Sequence, residues 1–456
     1  MAMADELKRL NEAAGREGYW LHRASVPRAL AVGQRMSKAG LSRCSLKVRA
    51  GRIERIVPAA EHGADARDIA DGLPSLDLDG GLLVSAWVDA HTHLDKGHIS
   101  PRTGECGGDL LAAIAATQAD AVHWTPGDLA RRMAFSLRSA YAHGTRAMRT
   151  HIDWASADAP PAWEVSHAFQ RDWRDRIELQ CAALCPPELF AHAGDGERIA
   201  RAVANRRAVL GAFVYPMAGV EKLVDRVFAL AERFDLWLDF HVDEHLQPNV
   251  DATRAILAAA RRTGMGHRVL CGHCCSLGVV ASATADELLA EFASVGATIV
   301  SLPFTNLYLQ DRQALRAPRM RGVAPLREAH MQGVKLALAS DNHRDPFLPF
   351  GDLDPLQTLA LASYAAHLEQ PFERWIQTVT TTPAAALGLP WDGVLREGAP
   401  ADLVLLRARD SMEACSRSQA DRRIVRAGRF IETVLPDYRE LDAPQRCASA
   451  RATHPA

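Results

Sequence analysis

The chain has 456 residues, 48% hydrophobic and 24% charged, with 53 basic residues against 55 acidic and a formal net charge of −2. So even a balance excludes a general polyanion binder, because counterion-driven nucleic-acid binding needs a basic face. The composition is too apolar for a disordered chain and too mixed for a fibre, and the length asks for one large domain with an accessory piece or two to three smaller ones.

The first residues, Met1 to Leu10, carry no apolar h-region, and no run of about 18 apolar residues occurs, so neither a secretory leader nor a membrane span is expected. The segments 1–20 and 436–456 show no periodic signal. Ser45–Val57 reads as two strands around an Ala-Gly turn. Eight strand candidates follow: Leu83–Val88, Arg146–Ile152, Ile177–Leu184, Ala208–Val214, Leu236–Val242, Arg268–Cys274, Ala297–Phe304 and Lys335–Ser340. Helical patterns lie between them, among them Val220–Phe234, Ala252–Thr263 and Thr284–Val295, where Thr284 with Glu287 reads as a capping-box start. Alternating β and α with buried, continuous strands predicts a parallel sheet with helices outside. Eight such pairs predict closure into an α/β (β/α)8 TIM barrel. A β pattern returns at Ala401–Leu406 and at Arg423–Ile431, which turns at Ala427-Gly428. The expected organisation is a barrel over 84–388, a small β-sandwich formed by both chain ends (20–83 plus 389–435), and a tail, 436–456.

Nine cysteines are scattered along the chain: Cys44, Cys106, Cys181, Cys185, Cys271, Cys274, Cys275, Cys415 and Cys447. An odd count in a long chain argues against a disulfide framework, and neither Cys181/Cys185 nor Cys271/Cys274 has the second pair a zinc ribbon needs. Most read as small buried apolar groups, and the expected compartment is a reducing cytoplasm.

In such a barrel the strand C-termini build the active site. The first strand runs into Asp89-Ala90-His91-Thr92-His93-Leu94-Asp95, and two histidines at i, i+2 on an extended strand point the same way. The fifth ends in Asp239-Phe240-His241-Val242-Asp243-Glu244-His245, the sixth in Cys271-Gly272-His273, the eighth in Ala339-Ser340-Asp341-Asn342-His343. Singly, each fits a hydrogen-bonded core histidine. Four in the right topological order point to a site. His91, His93, His241 and Asp341 offer three imidazoles and a carboxylate, which suit a divalent transition metal with a position left for water. Such an ion lowers the pKa of water towards about 7, and Asp341 is placed to take that water's proton. Glu244, three residues past His241, is placed to move a proton between water and substrate, and His273 to orient or polarise the water.

With these segments the chain resembles the amidohydrolase superfamily, and within it the cytosine-deaminase-like branch. Further matching stretches are Arg149-Thr150-His151-Ile152-Asp153, Gly264-Met265-Gly266, Asn306-Leu307-Tyr308-Leu309-Gln310 and Asp345-Pro346-Phe347. The resemblance implies the same barrel and sandwich, and one divalent ion, Zn2+ or Fe2+, held by His91, His93, His241 and Asp341. Two-metal relatives use a carboxylated lysine after strand four; the stretch Leu210 to Pro216 has none, and Lys222 lies elsewhere. The implied activity is hydrolytic deamination of an aminated nitrogen heterocycle (cytosine-, isoguanine-, pterin- or creatinine-like, or an aminated triazine) by a metal-activated water. Glu244 protonates the adjacent ring nitrogen, His273 and Asp341 activate the water, and Asp341 carries a proton to the leaving amine.

The chain departs from cytosine deaminase in two places. Leu184-Cys185-Pro186-Pro187-Glu188 lacks the glutamine that reads the pyrimidine amide edge, and Asn342 stands in place of a second aspartate. Both argue against cytosine itself. The alternative activity is hydrolysis of a cyclic amide or imide, or of an N-alkylamino group on a ring; a third reading is a catalytically inactive binding protein. The expected partner is a small heterocycle, with neither nucleic acid nor membrane, and the family's habit allows a homo-oligomer. Candidate substrate contacts are Asn342, Phe347 (stacking on the ring or filling the loop core), Gln310 (donating, or a solvated amide) and Lys96 (meeting an anionic group, or solvated). His98, His151, His245 and His343 are expected to support or line the pocket. Gly104–Gly108, before Asp109, reads as a lid or a plain flexible loop.

Overall fold

The computed structural model describes residues 2–31, 40–59, 72–104, 109–418 and 422–442. Strands β1 (Tyr19–Pro27), β2 (Leu41–Arg49), β3 (Arg52–Pro58) and β4 (Ser75–Asp77) form a sheet in the order β3-β2-β1-β4. The β2–β3 hairpin turns at Ala50-Gly51, both at positive φ (49° and 78°), the two-residue geometry whose twist matches the flanking strands.

β5 (Leu83–Ser85) opens the run expected as the first barrel strand, but that run divides at Ala86. Leu83–Ser85 pairs with the C-terminal part of the chain, and the barrel strand proper is β6 (Trp87–Thr92). The barrel continues through β7 (Thr145–Asp153), β8 (Glu178–Cys185), β9 (Val209–Val214), β10 (Leu238–Val242), β11 (Val269–His273), β12 (Thr298–Ser301) and β13 (Lys335–Leu338). Each pairs in parallel with the next. A parallel bridge between Thr92 and Asp341, with the Asp341 amide donating to the His91 carbonyl at 2.9 Å, joins the last strand to the first. The eight strands therefore close as a (β/α)8 barrel. Helices cover the outside. Val220–Phe234 buries Val220, Leu223, Val224, Val227, Phe228 and Ala231, one stripe at helical spacing.

β14 (Leu403–Leu406), β15 (Arg422–Arg426) and β16 (Arg429–Phe430) join β5 in a second four-stranded sheet. It packs on the N-terminal sheet through Tyr19, whose hydroxyl donates to the Gly428 carbonyl at 3.0 Å and whose ring lies 5.8 Å from that of Phe430.

Three sequence expectations give way. Helix Ser282–Val295 starts two residues before Thr284, with Ala281 as N-cap and no side-chain cap, so Thr284 and Glu287 form no capping box. The strand expected to run to Phe304 stops at Ser301, because Pro303 opens a short helix, Pro303–Leu309, where its missing N–H is harmless. The silent N-terminus contains a helix, Ala2–Ala13, that docks on β16: Asn11 donates to the Phe430 carbonyl (2.9 Å) and accepts from its amide (2.7 Å). The seven described cysteines form no disulfide with one another and six are buried; Cys106 and Cys447 lie outside the described residues. Among the described residues no helix is long and apolar enough to cross a membrane.

Gly211, in β9, allows the closest strand approach. A Cβ there would stand 2.5 Å from the Ala183 carbonyl oxygen and 2.8 Å from that of Asp239, both backbone atoms of neighbouring strands. Gly211→Ala is therefore expected to destabilise the barrel by about 1–3 kcal/mol, read as a lowered midpoint in urea unfolding.

Candidate active site

Strand alternation aims His91 and His93 to one side of β6, and β10 brings His241 to meet them. The Nε2 atoms of His91 and His241 stand 3.1 Å apart, and those of His241 and His93 3.2 Å. Asp341 Oδ1 completes the cluster, 3.2 Å from His93 Nε2 and 3.5 Å from His91 Nε2. Donors at the corners of a tetrahedron with bonds of about 2.0–2.1 Å lie about 3.3–3.4 Å apart, so these four separations suit donors gathered around a metal ion. The chemistry fits too. Burial above all holds all three histidines well below 6.5, with Lys96 next for His93 and neighbouring imidazoles adding at each, so they are neutral with lone pairs available. Both Asp341 carboxylate oxygens are buried without a hydrogen-bond partner.

A charged layer braces the cluster from below. The His151 ring lies 4.0 Å from that of His91, and its Nε2 3.3 Å from Asp239 Oδ1. Arg149 Nη1 donates to Asp239 Oδ2 at 2.8 Å. Burial opposes the charge on Asp239, but His151 and Arg149 outweigh it and hold the carboxyl below its ordinary range.

Glu244 sits on a pinned loop. After β10 the chain turns at Asp243 (φ 47°), whose Oδ2 accepts from the Thr253 amide (3.0 Å) and hydroxyl (2.6 Å). Gln310 Nε2 donates to the Glu244 carbonyl at 3.3 Å. The Glu244 carboxyl reaches within 3.3 Å of His273 Nδ1. Burial, then repulsion from Asp341, raises its pKa well above the ordinary carboxylate range, with Lys96 opposing. His273 Nδ1 also faces Asn306 Nδ2 at 2.9 Å, and burial lowers the imidazole to about 3, so it is neutral. Asp341 is raised to about 8, by burial above all, with Thr305 opposing and Asp345 adding. His273 (φ 67°) and Asp341 (φ 65°) hold the left-handed conformation that costs a non-glycine residue roughly 1–2 kcal/mol, strain that concentrates where side chains must be aimed.

A cavity of about 350 Å³ opens onto these groups. His93, His241, Glu244, His273 and Asp341 line it, as do Lys96, Asp153, Asn342 and Phe347; Leu110, Ile114, Trp124, Leu129 and Trp154 contribute apolar lining. Of the candidate substrate contacts, Lys96, Asn342 and Phe347 thus reach the cavity wall. Gln310 is not on that wall; it is the buried prop of the Glu244 loop. Lys96 is buried and bonded to both Asp153 oxygens at 2.9 Å, so it is neither solvated nor alone. Asn342 Nδ2 donates to Asp345 Oδ2 at 2.7 Å. His98 and His343 pack together off the cavity wall, His343 against the Ser136 hydroxyl (2.7 Å), and His245 bonds Ser276. Several wall residues carried no functional expectation, among them Asp153, Trp154 and those of the helix Leu110–Ala121, capped by Asp109. Asp153 lay within a matching motif without a role. Residues 105–108 of the expected lid lie outside the described residues.

The pattern described as the amidohydrolase family matches residues 188–431. The chain is 39% identical to a pterin deaminase of Rhizobium rhizogenes (strain K84 / ATCC BAA-868), over 92% of this chain and 95% of that one. It is 25% identical to the N-isopropylammelide isopropyl amidohydrolase of Pseudomonas sp. (strain ADP), over 78% of this chain and 87% of the other. Among solved structures, the 5-methylcytosine deaminase from Klebsiella pneumoniae liganded with 5-fluorocytosine matches with a TM-score of 0.77 and 26% identity, over 92% of this chain and 98% of that one.

Proposed function

Because the chain belongs to the amidohydrolase family and is a metal-dependent hydrolase of C–N bonds that deaminates heterocycles, we propose that its ring is a pterin, a 2-amino-4-oxopteridine. The reading rests on one observation above all: Glu244, a buried carboxyl whose pKa is raised well above the ordinary range, shares a cavity with His93, His241 and Asp341, three of the four converging candidate metal donors. The extensive similarity to a pterin deaminase supports the choice of ring, as does a cavity at the lower end of the range for small-molecule sites, roomier than a single pyrimidine needs. In this reading residues 84–388 form the catalytic domain, flanked by the sandwich of 20–83 plus 389–435.

His91, His93, His241 and Asp341 would hold one divalent ion, Zn2+ or Fe2+. When bound, that ion supplies Lewis-acid activation of water at neutral pH. The chain's own groups do the rest. Glu244 delivers its proton to the ring nitrogen beside the aminated carbon, which makes that carbon electrophilic. His273, neutral, orients the attacking water through its unpartnered Nε2. Asp341 accepts a water proton and passes it to the departing amine. One water is consumed: the C–N bond breaks, the proton left on the attacking oxygen returns to Glu244 in exchange for the one it gave the ring nitrogen, and ammonia and a ring carbonyl remain.

The test is ammonia release by metal-loaded protein from pterin, cytosine, 5-methylcytosine, isoguanine, creatinine and N-isopropylammelide. Pterin is expected to lead cytosine by about 100-fold or more in kcat/KM, the discrimination typical of a site built for one polar edge. Release of isopropylamine from N-isopropylammelide, with silence on the aminated rings, would replace this reading by alkylamine hydrolysis, for which the apolar lining of the cavity provides room.

A further inference from the structure

The cavity wall carries one charged pair among apolar groups. Lys96 comes from the loop after β6 and Asp153 from the end of β7; the lysine side chain is 5% exposed and the aspartate 38%. A single buried carboxylate, Asp95, fixes both: its Oδ1 accepts from the Lys96 amide (2.9 Å) and its Oδ2 from the Asp153 amide (3.0 Å). The ammonium also lies 4.8 Å from the centroid of the Phe347 ring, which shares the wall. Burial works against the lysine's charge, but Asp153 and Asp95 more than offset it and keep it protonated.

Such a pair contributes little to stability for the cost of desolvating it. It does present chemistry to the cavity. An ammonium has three N–H donors, and the two Asp153 oxygens take at most two of them. Each Asp153 oxygen keeps a lone pair, and the partly exposed carboxylate borders the cavity. One donor and one acceptor side by side, jointly neutral, complement an uncharged amide edge and not an anion.

We propose that Lys96 and Asp153 read the lactam edge of the substrate, the ammonium donating to a ring carbonyl and the carboxylate accepting the adjacent ring N–H. The inference rests on the deaminase reading and adds to it the edge by which the ring is oriented: Glu244 acts on the nitrogen at one side of the aminated carbon, and the lactam lies at the other. It also replaces the sequence expectation that Lys96 meets an anionic group.

The experiment compares pterin with 3-methylpterin, which lacks the lactam N–H, on the metal-loaded full chain. Wild type is expected to disfavour the methylated ring by about 100-fold or more in kcat/KM, because the N-methyl group meets the Asp153 carboxylate where an N–H would donate, and the bound ring shuts that acceptor off from water without pairing it. In the shape-retaining double variant Lys96→Met/Asp153→Leu the preference is expected to fall below about tenfold, chiefly through a raised KM for pterin, with metal content unchanged. A wild type that accepts both rings within about threefold overturns the proposal without recourse to any variant, as does a double variant with the wild-type ratio. If wild type releases no ammonia from pterin, the deaminase reading fails and the edge contact is read by binding alone, from thermal shifts with the two rings. Weaker binding of 3-methylpterin supports it; equal binding, or none by either, overturns it.

Discussion

Glu244→Gln is expected to lower kcat for ammonia release by about 10²–10⁴-fold, the range of a lost general acid, with metal content unchanged. The amide keeps the shape of the carboxyl and its place beside His273 Nδ1, so binding and fold are conserved and only the transferable proton is lost. The wild-type group retains that proton because burial and Asp341 both oppose its charge. Wild-type kcat should therefore fall on the alkaline side as Glu244 loses its proton, and the residual activity of the variant should lack that limb. The measurement is kcat against pH for both proteins, with metal determined in the same samples. A variant within about tenfold of wild type would remove Glu244 from proton transfer.

Asp341→Asn separates metal binding from stability. Asp341 is the one carboxyl among the four proposed donors, within 3.5 Å of His91 Nε2 and 3.2 Å of His93 Nε2; a carboxamide in its place leaves three neutral imidazoles. Metal retained after dialysis is expected to fall by at least about tenfold, and turnover by about 10³-fold or more, since water activation and proton passage both fail. Metal-free stability is expected to move the other way. A carboxyl raised from 3.8 to about 8, chiefly by burial, binds more protons folded than unfolded between those values, so its cost to folding grows as pH climbs through that window. At pH 8 the metal-free variant should unfold no earlier than metal-free wild type. Unchanged metal content would rule out ligation by this residue.

The barrel strands were legible because each is a buried, continuous apolar run, and the proposed donors could be picked out because histidine and aspartate stand at the ends of those runs. The local signal fails where partners lie far away. Leu83–Val88 is one apolar run, yet its halves serve two sheets, because Leu83–Ser85 pairs with Leu403–Leu405, more than 300 residues on. The N-terminal helix packs Leu7 and Leu10 on the core and bonds a distant strand through Asn11; two leucines in a short, otherwise polar segment make too faint a stripe to stand out in the sequence. Lys96 looked like a free cation because its counter-charge, Asp153, belongs to another strand. Gln310 looked like a ligand contact because nothing local announces that its amide reaches the Glu244 carbonyl. Ligand positions follow from strand ends; the cavity walls are assembled by loops from across the barrel top.

The bridge between Thr92 and Asp341 joins strands some 250 positions apart, the widest loop the barrel has to close. Closing so long a loop is an entropic cost that no local contact repays. In the proposed reading, an ion held by His91 and His93 on one side of this junction and by Asp341 on the other would be a clasp between the two ends of the ring. Its binding free energy is then also free energy of ring closure, since anything that binds only the closed form stabilises it by mass action. Starvation for metal would thus cost this protein its circumference as well as its chemistry.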